Sequence, residues 1–143
     1  MVIKMAEKLL GVDFGDARTG LAVSDALGFM ATPVGTVYST YIVETAKKVA
    51  AAAREHGAKK IVIGMPVNMN GTEGPRAEKV KEFADLVKSE LEDAEIVFFD
   101  ERCSTMAAHQ ILNLTDTRSK RRKEVIDTLS AQIILQNYMD SHK

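Results

Sequence analysis

The chain has little of what marks several protein classes. Its 143 residues include one cysteine, Cys103, so no disulfide can form within it. That fits a reducing compartment such as the cytoplasm. Charge of either sign is nearly balanced, with 19 Lys and Arg against 20 Asp and Glu for a net −1. The chain as a whole is therefore no electrostatic glove for a polyanion, and nucleic-acid binding would need a local patch. No apolar run approaches the ~20 residues that cross a bilayer, which argues against a membrane partner. The stretch Met1 to Lys8 lacks the apolar core of a signal peptide. Histidine–cysteine spacing of the zinc-binding kind is missing. There is no internal repeat and no low-complexity segment. What remains is an ordinary globular composition, 45% apolar and 27% charged. The length suits one domain over residues 1–143, with 1–7 as a flexible N-terminus.

Punctuation by Gly, Asp and Pro divides the chain. Lys8 to Phe14 is expected as a buried strand, Gly15 to Arg18 as a tight turn and Thr19 to Ser24 as a second strand. A turn from Asp25 to Gly28 leads to a third strand from Ala31 to Tyr38. Such short spacings imply an antiparallel meander. A helix is expected from Thr40 to His56, closed by Gly57. Lys60 to Gly64 is a continuous β-branched run and is expected as a strand buried on both faces. Pro75 suits the first position of the next helix, whose Val80, Phe83, Ala84, Val87 and Leu91 follow helical spacing. Glu95 to Phe99 is expected as a fifth strand and Ser104 to Leu114 as a helix. Thr115 to Lys123 is polar and is expected as a mobile loop. A last helix, Glu124 to Met139, has apolar residues on more than one face and is expected to be well buried. The sum is an α/β fold, a mixed five-stranded sheet with helices on its faces.

Three acidic positions close or interrupt strongly apolar stretches: Asp13, the pair Asp100-Glu101, and Asp127. A carboxylate in such surroundings is costly unless something positive or hydrogen-bonding meets it. Strand ends gather ligand sites in open α/β sheets. Asp127 shares a helical stripe with Ala131, Ile134 and Tyr138. Three converging carboxylates suit Mg²⁺ or Mn²⁺, which prefer oxygen ligands. Two such ions about 4 Å apart could activate water and stabilise a leaving oxygen in phosphodiester cleavage. Taken singly, each acid has an ordinary structural role available as a turn cap or helix-dipole partner. Asp100 and Glu101 cannot both face one way along a strand, and Glu101 is favoured for its longer reach past the strand end.

Gly11 and Gly15 flank Asp13 and leave no side chain to block a substrate. The loop from Gly64 to Gly74 offers Asn68, Asn70, Gly71 and Thr72 to a phosphate or sugar. The basic run Arg118, Lys120, Arg121, Arg122 and Lys123 could grip a phosphate backbone, although such runs are commonly just solvated. His56, His109 and His142 are expected at the surface, and the methionines as core filler.

Five segments follow one another in order: Gly11-Val12-Asp13-Phe14-Gly15, Ala22-Val23-Ser24-Asp25, Gly64 to Gly74, Asp100-Glu101-Arg102-Cys103-Ser104-Thr105, and the Asp127 helix. Together they resemble the YqgF family, also called RuvX, over about Leu9 to Asp140. The resemblance implies an RNase H-like fold, shared with the RuvC resolvases. It also implies a divalent-metal nuclease of the bacterial cytoplasm, associated with ribosome biogenesis through 5′-end maturation of precursor 16S rRNA. It places the family's acids on Asp13, Glu101 and Asp127. Arg18, Arg102, Ser104, Thr105 and the Asn68–Gly74 loop are expected to position substrate. The family usually has Lys-Arg after the first glycine turn, whereas Ala17 precedes Arg18 here, and Cys103 stands where leucine is common.

The leading expectation is an Mg²⁺- or Mn²⁺-dependent nuclease acting on an rRNA precursor, with the ribosomal particle as a partner and a monomer or weak dimer as its state. A Holliday junction resolvase acting on branched DNA needs the same acids. An actin-like ATP-binding module would need a second related domain, for which the chain is too short. A non-catalytic RNA-binding assembly factor would have no use for three carboxylates that repel phosphate.

Overall fold

A computed structural model of the chain describes residues 7–67, 71–100 and 119–141, the side chains of 119–127 excepted. The flexible terminus (apart from residue 7), the helix expected from Ser104, and the expected loop as far as Arg118 lie outside the described residues.

The expected meander forms. Strands β1 (Leu9–Asp13), β2 (Arg18–Ser24) and β3 (Ala31–Tyr38) pair antiparallel in sequence order. Asp25 builds the second turn: its carboxylate accepts the Phe29 N–H at 2.8 Å, and its own N–H donates to the Met30 carbonyl at 3.0 Å. Ser24 begins the β1 pairing from the side, its hydroxyl accepting the Leu9 N–H at 2.8 Å. Helix α1 (Ile42–His56) starts two residues later than expected and stops where expected, at Gly57 with φ 68°. Gly57 is in the left-handed conformation, and its N–H closes onto the Ala53 and Arg54 carbonyls.

Strand β4 (Lys60–Met65) returns parallel to β1, and β5 (Glu95–Asp100) lies parallel to β4. Helix α2 (Pro75–Glu90) joins them, with Pro75 in its first turn. Leu91, expected within α2, is its C-cap instead. The sheet order is β3-β2-β1-β4-β5. Ile61 to Met65 are all buried, as a central strand with covered faces requires.

Side chains alternate across the sheet and sort into two cores. Leu10, Val12, Leu21, Ile61 and Ile63 face α1 and α2 and pack with Val49, Val80 and Phe83. Ala22 and Val62 face the last helix, α3 (Ser119–Ser141), and pack with Ala131, Ile134, Leu135 and Tyr138.

Two expectations change at α3. The basic run is not a loop from Lys120 onward: Lys120, Arg121, Arg122 and Lys123 lie in the helix, while Arg118 lies outside the described residues. No Gly or Pro interrupts Ser119 to Ser141, and Lys and Arg are good helix formers, so the helix extends through its charged start. Burial is also narrower than expected. From Thr128 onward the buried positions recur as 130/131, 134/135 and 138/139, and Asn137 and Asp140 are exposed. That is one stripe, laid on one face of the sheet.

Candidate active site

Asp13 ends β1 on the face toward α3. Its neighbours along the chain, Val12 and Phe14, are buried on the opposite face. Gly11, two residues back, faces α3 so closely that an added Cβ would lie 2.7 Å from Leu135 Cβ and 2.9 Å from the Ala131 carbonyl oxygen. The cross-strand row through Asp13 is distinctive. Its partner on β2 is Gly20, and the next position in register on β4 is Gly64, which pairs with Phe99 of β5. The positions directly opposite the half-buried Asp13 on both adjoining strands are thus glycines. The sequence marked Gly64 as the end of a strand and the start of a loop, but the row it forms with Gly20 about Asp13 appears only once the register is known.

Helix α3 runs back along β1. Tyr138 meets Lys60, whose β1 partner is Leu9, and Ala131 and Leu135 meet Gly11. From Gly11 to Asp13 the strand advances about 6.6 Å. From Ala131 to position 127 the helix recedes about 6 Å. The backbone thus carries position 127 to the Asp13 end of the sheet. The helix is tied down by more than apolar contact. Gln136 accepts the Ala31 N–H at 2.9 Å and donates to the Phe29 carbonyl at 2.9 Å, while Gln132 donates to the Ala31 carbonyl at 3.0 Å.

Among the remaining sequence-expected residues, Glu101, Arg102, Ser104, Thr105, Asn68 and Asn70 lie outside the described residues. Gly71 and Thr72 are exposed just before α2. Arg18 opens β2 with the same alternation as Gly20 and Ala22, so it shares the face of Asp13. Asp100 is exposed at the end of β5 and alternates with Val97 and Phe99, which belong to the α3 face. It therefore lies on the other face from Asp13.

A second group, which sequence reading missed, holds the turn after Asp13. Arg76 donates to the Phe14 carbonyl at 2.8 Å and lies 3.4 Å from the Asp16 carboxylate. Lys79 donates to the same carboxylate at 2.8 Å. These cations hold Asp16 below the usual carboxylate range, the Lys79 hydrogen bond contributing most. The Phe14 ring stacks on Phe83 of α2 with centroids 4.5 Å apart. A signal was present in the sequence. Cations in the first turns of a helix oppose its dipole, so Arg76 and Lys79 at the start of α2 called for an acidic partner.

At the far end of the α3 face, Lys60 donates to the Tyr138 hydroxyl and pairs with Glu95, each at 3.3 Å. The Tyr138 hydrogen bond is the main cause that raises the Lys60 pKa. Among the described residues, no three His, Cys, Asp or Glu side chains form a group that could hold a metal ion. Also among them, no helix is long and apolar enough to cross a membrane.

Comparison with known proteins places this arrangement. The chain is 43% identical over 134 residues to a protein of Clostridium tetani named "Putative pre-16S rRNA nuclease", covering 94% of this chain and 96% of that one. A Clostridioides difficile protein of the same name is 44% identical over 133 residues, covering 93% and 94%. Among solved structures, Thermus thermophilus RuvC in complex with a Holliday junction substrate superimposes with TM-score 0.60 at 12% identity, covering 96% of each chain. The Fowlpox virus resolvase with Holliday junction DNA gives TM-score 0.56 at 12% identity, covering 94% of this chain and 98% of that one. The fold is thus RNase H-like, as the resemblance implied, with the expected mixed five-stranded sheet. The family described as RuvX, Holliday junction resolvase, matches residues 7–141, and the chain belongs to that family.

Proposed function

We propose that the chain is a divalent-metal-dependent nuclease that hydrolyses phosphodiester bonds, as a single nuclease domain of the cytoplasm, and that its substrate is the 5′ region of precursor 16S rRNA. The observation that carries this is the place of Asp13 in a RuvX-family chain: at a strand end, on the α3 face, between two glycines. A half-buried carboxylate at a strand end, with glycines at the directly opposite positions, suits a hard cation and an approaching phosphate.

Asp13, Glu101 and Asp127 would hold Mg²⁺ or Mn²⁺. Asp100 lies on the other face of β5 from Asp13, which supports Glu101 as the acid of that pair for the shared site. When bound, the cation supplies Lewis-acid charge beside the phosphoryl oxygens. The chain itself supplies placement. Arg18, on the face of Asp13, and the segment through Asn68, Asn70, Gly71 and Thr72 bear on the phosphate and sugar, with Arg102, Ser104 and Thr105 completing the contact. Lys120 to Lys123, on the first turns of α3, add positive charge at the end of the helix that carries Asp127. A water oxygen bonds to phosphorus and gives up a proton, the bond from phosphorus to the leaving sugar oxygen breaks, and that oxygen takes up a proton from the surrounding water.

The test is cleavage of a precursor 16S 5′ fragment beside a four-way DNA junction, each with Mn²⁺, Mg²⁺ or EDTA. RNA cutting that requires both metal and Asp13 is the expected result. Junction cutting instead would make the chain a resolvase. Metal-independent RNA binding without cutting by either route would make it an assembly factor.

A further inference from the structure

We infer that Arg76 is a positioning residue for Asp13, because its guanidinium holds the peptide unit that follows the Asp13–Phe14 step and ties it to the start of α2. The inference rests on the assignment of Asp13 to the metal site.

The ladder between β1 and β2 ends at Asp13 and Gly20. Beyond it the backbone needs other partners, since buried or half-buried peptide groups are seldom left unpaired. The first such unit joins Phe14 to Gly15, and it is held at both ends. Its carbonyl accepts from Arg76 at 2.8 Å. Its N–H donates to the Thr19 hydroxyl at 3.3 Å. A peptide unit is rigid and planar, so two grips fix its orientation. The turn also tolerates little movement: a Cβ at Gly15 would run into the Arg18 carbonyl. The far edge of the turn is held by the Ser39 N–H, which donates to the Ala17 carbonyl at 3.1 Å.

The guanidinium is in turn held by its second contact, the Asp16 carboxylate that Lys79 also binds. The planar fork of arginine can meet a carbonyl and a carboxylate together, which the single ammonium of lysine cannot do. Arg76 lies five residues after Gly71, in the first turn of the helix that the Gly64–Gly74 segment enters. Substrate contact on that segment and the carboxylate of Asp13 are thereby joined through one side chain.

The experiment compares wild type, Arg76→Ala, Arg76→Lys and Asp16→Asn as full-length chains. Mn²⁺ binding is measured by calorimetry without nucleic acid, melting by circular dichroism, and KM on the RNA fragment by cleavage. Both Arg76 variants should bind Mn²⁺ about tenfold more weakly, the scale seen when a ligand loses its supporting partner. Their Tm should move by no more than about 4 °C. Asp16→Asn removes the second hold on the guanidinium but leaves its bond to the carbonyl, so its Mn²⁺ affinity should fall between those of wild type and the Arg76 variants. Unchanged Mn²⁺ affinity in both Arg76 variants would overturn the inference and leave a surface ion pair. A higher KM in Arg76→Ala that Arg76→Lys restores, with Mn²⁺ affinity intact, would overturn it in favour of a phosphate contact. If Asp13→Asn binds Mn²⁺ as tightly as wild type, the site assignment fails and the inference with it. If Asp13→Asn loses Mn²⁺ while the Arg76 variants keep it, the inference alone fails.

Discussion

The face of the sheet beneath α1 and α2 is closed by branched and aromatic side chains, such as Leu10, Ile61, Ile63, Val80 and Phe83. The face beneath α3 is also closed by apolar side chains, Val62, Ile134, Leu135 and Tyr138, but it adds close backbone contact at Gly11 and hydrogen bonds from Gln132 and Gln136 to the β3 backbone. Burial of apolar area stabilises in proportion to the area hidden, without direction. Hydrogen bonds and backbone contact contribute less net free energy but fix geometry. Both faces therefore supply stability, the α3 face adds placement, and Asp13 stands on that face.

Substitutions that separate stability from activity would break that comparison. The largest effect is expected for Asp13→Asn, which should lower the cleavage rate about a thousandfold, the scale of several kcal/mol of lost transition-state stabilisation. Its urea midpoint should stay within error of wild type; a matching loss of stability would show that Asp13 is structural. On the opposite face, Ile61→Ala should cost about 2–5 kcal/mol in urea unfolding, since Ile61 is fully buried. Its Mn²⁺ requirement should not change, and a shifted requirement would mean the faces are not independent.

Gly11→Ala tests the contact between strand and helix. The added methyl meets Leu135 and the Ala131 carbonyl at less than 3 Å, so α3 must shift, at a cost of about 1–3 kcal/mol. Here stability and cleavage should fall together, because the helix that is displaced carries position 127. The smallest effect is expected at Asp16. Its folded pKa is depressed by Lys79 and Arg76. Its contribution is therefore present above the unfolded value near ~3.9 and is lost as pH falls through the lower folded value. Because the pair is largely exposed, it should be worth less than about 1 kcal/mol. Denaturation curves of wild type and Asp16→Asn should differ slightly at pH 6 and converge near pH 2. A gap that persists at pH 2 would assign the difference to something other than this charge.

Much of the fold was legible because local chemistry and tertiary position agree. The Asp25–Gly28 turn, the Gly57 cap, Pro75 and the β-branched run after Lys60 each stand where the structure uses them. The start of α3 was not legible. A dense run of Lys and Arg suggests solvation, and only its freedom from Gly and Pro pointed to helix. Asp13 could be singled out by its apolar setting, and the strand period separated Asp100 from Glu101 without saying which of the two shares the face of Asp13. The glycine row at Gly20 and Gly64 needs the register of three strands. The Arg76–Phe14 bond spans 62 residues, and no pattern within a short window encodes it.

The close contact at Gly11 also makes a fulcrum. A helix behaves as a stiff rod over a few turns, and position 127 lies about 6 Å beyond Ala131 along its axis. Tilting α3 by about 10° on that fulcrum would carry position 127 sideways by about 1 Å, a displacement that can slow an enzyme about a hundredfold. The angle is set by Leu135, Gln132 and Gln136 on the helix and by Ala31 on the strand. Exchanging side chains there would change the distance between Asp13 and position 127 while leaving both residues in place.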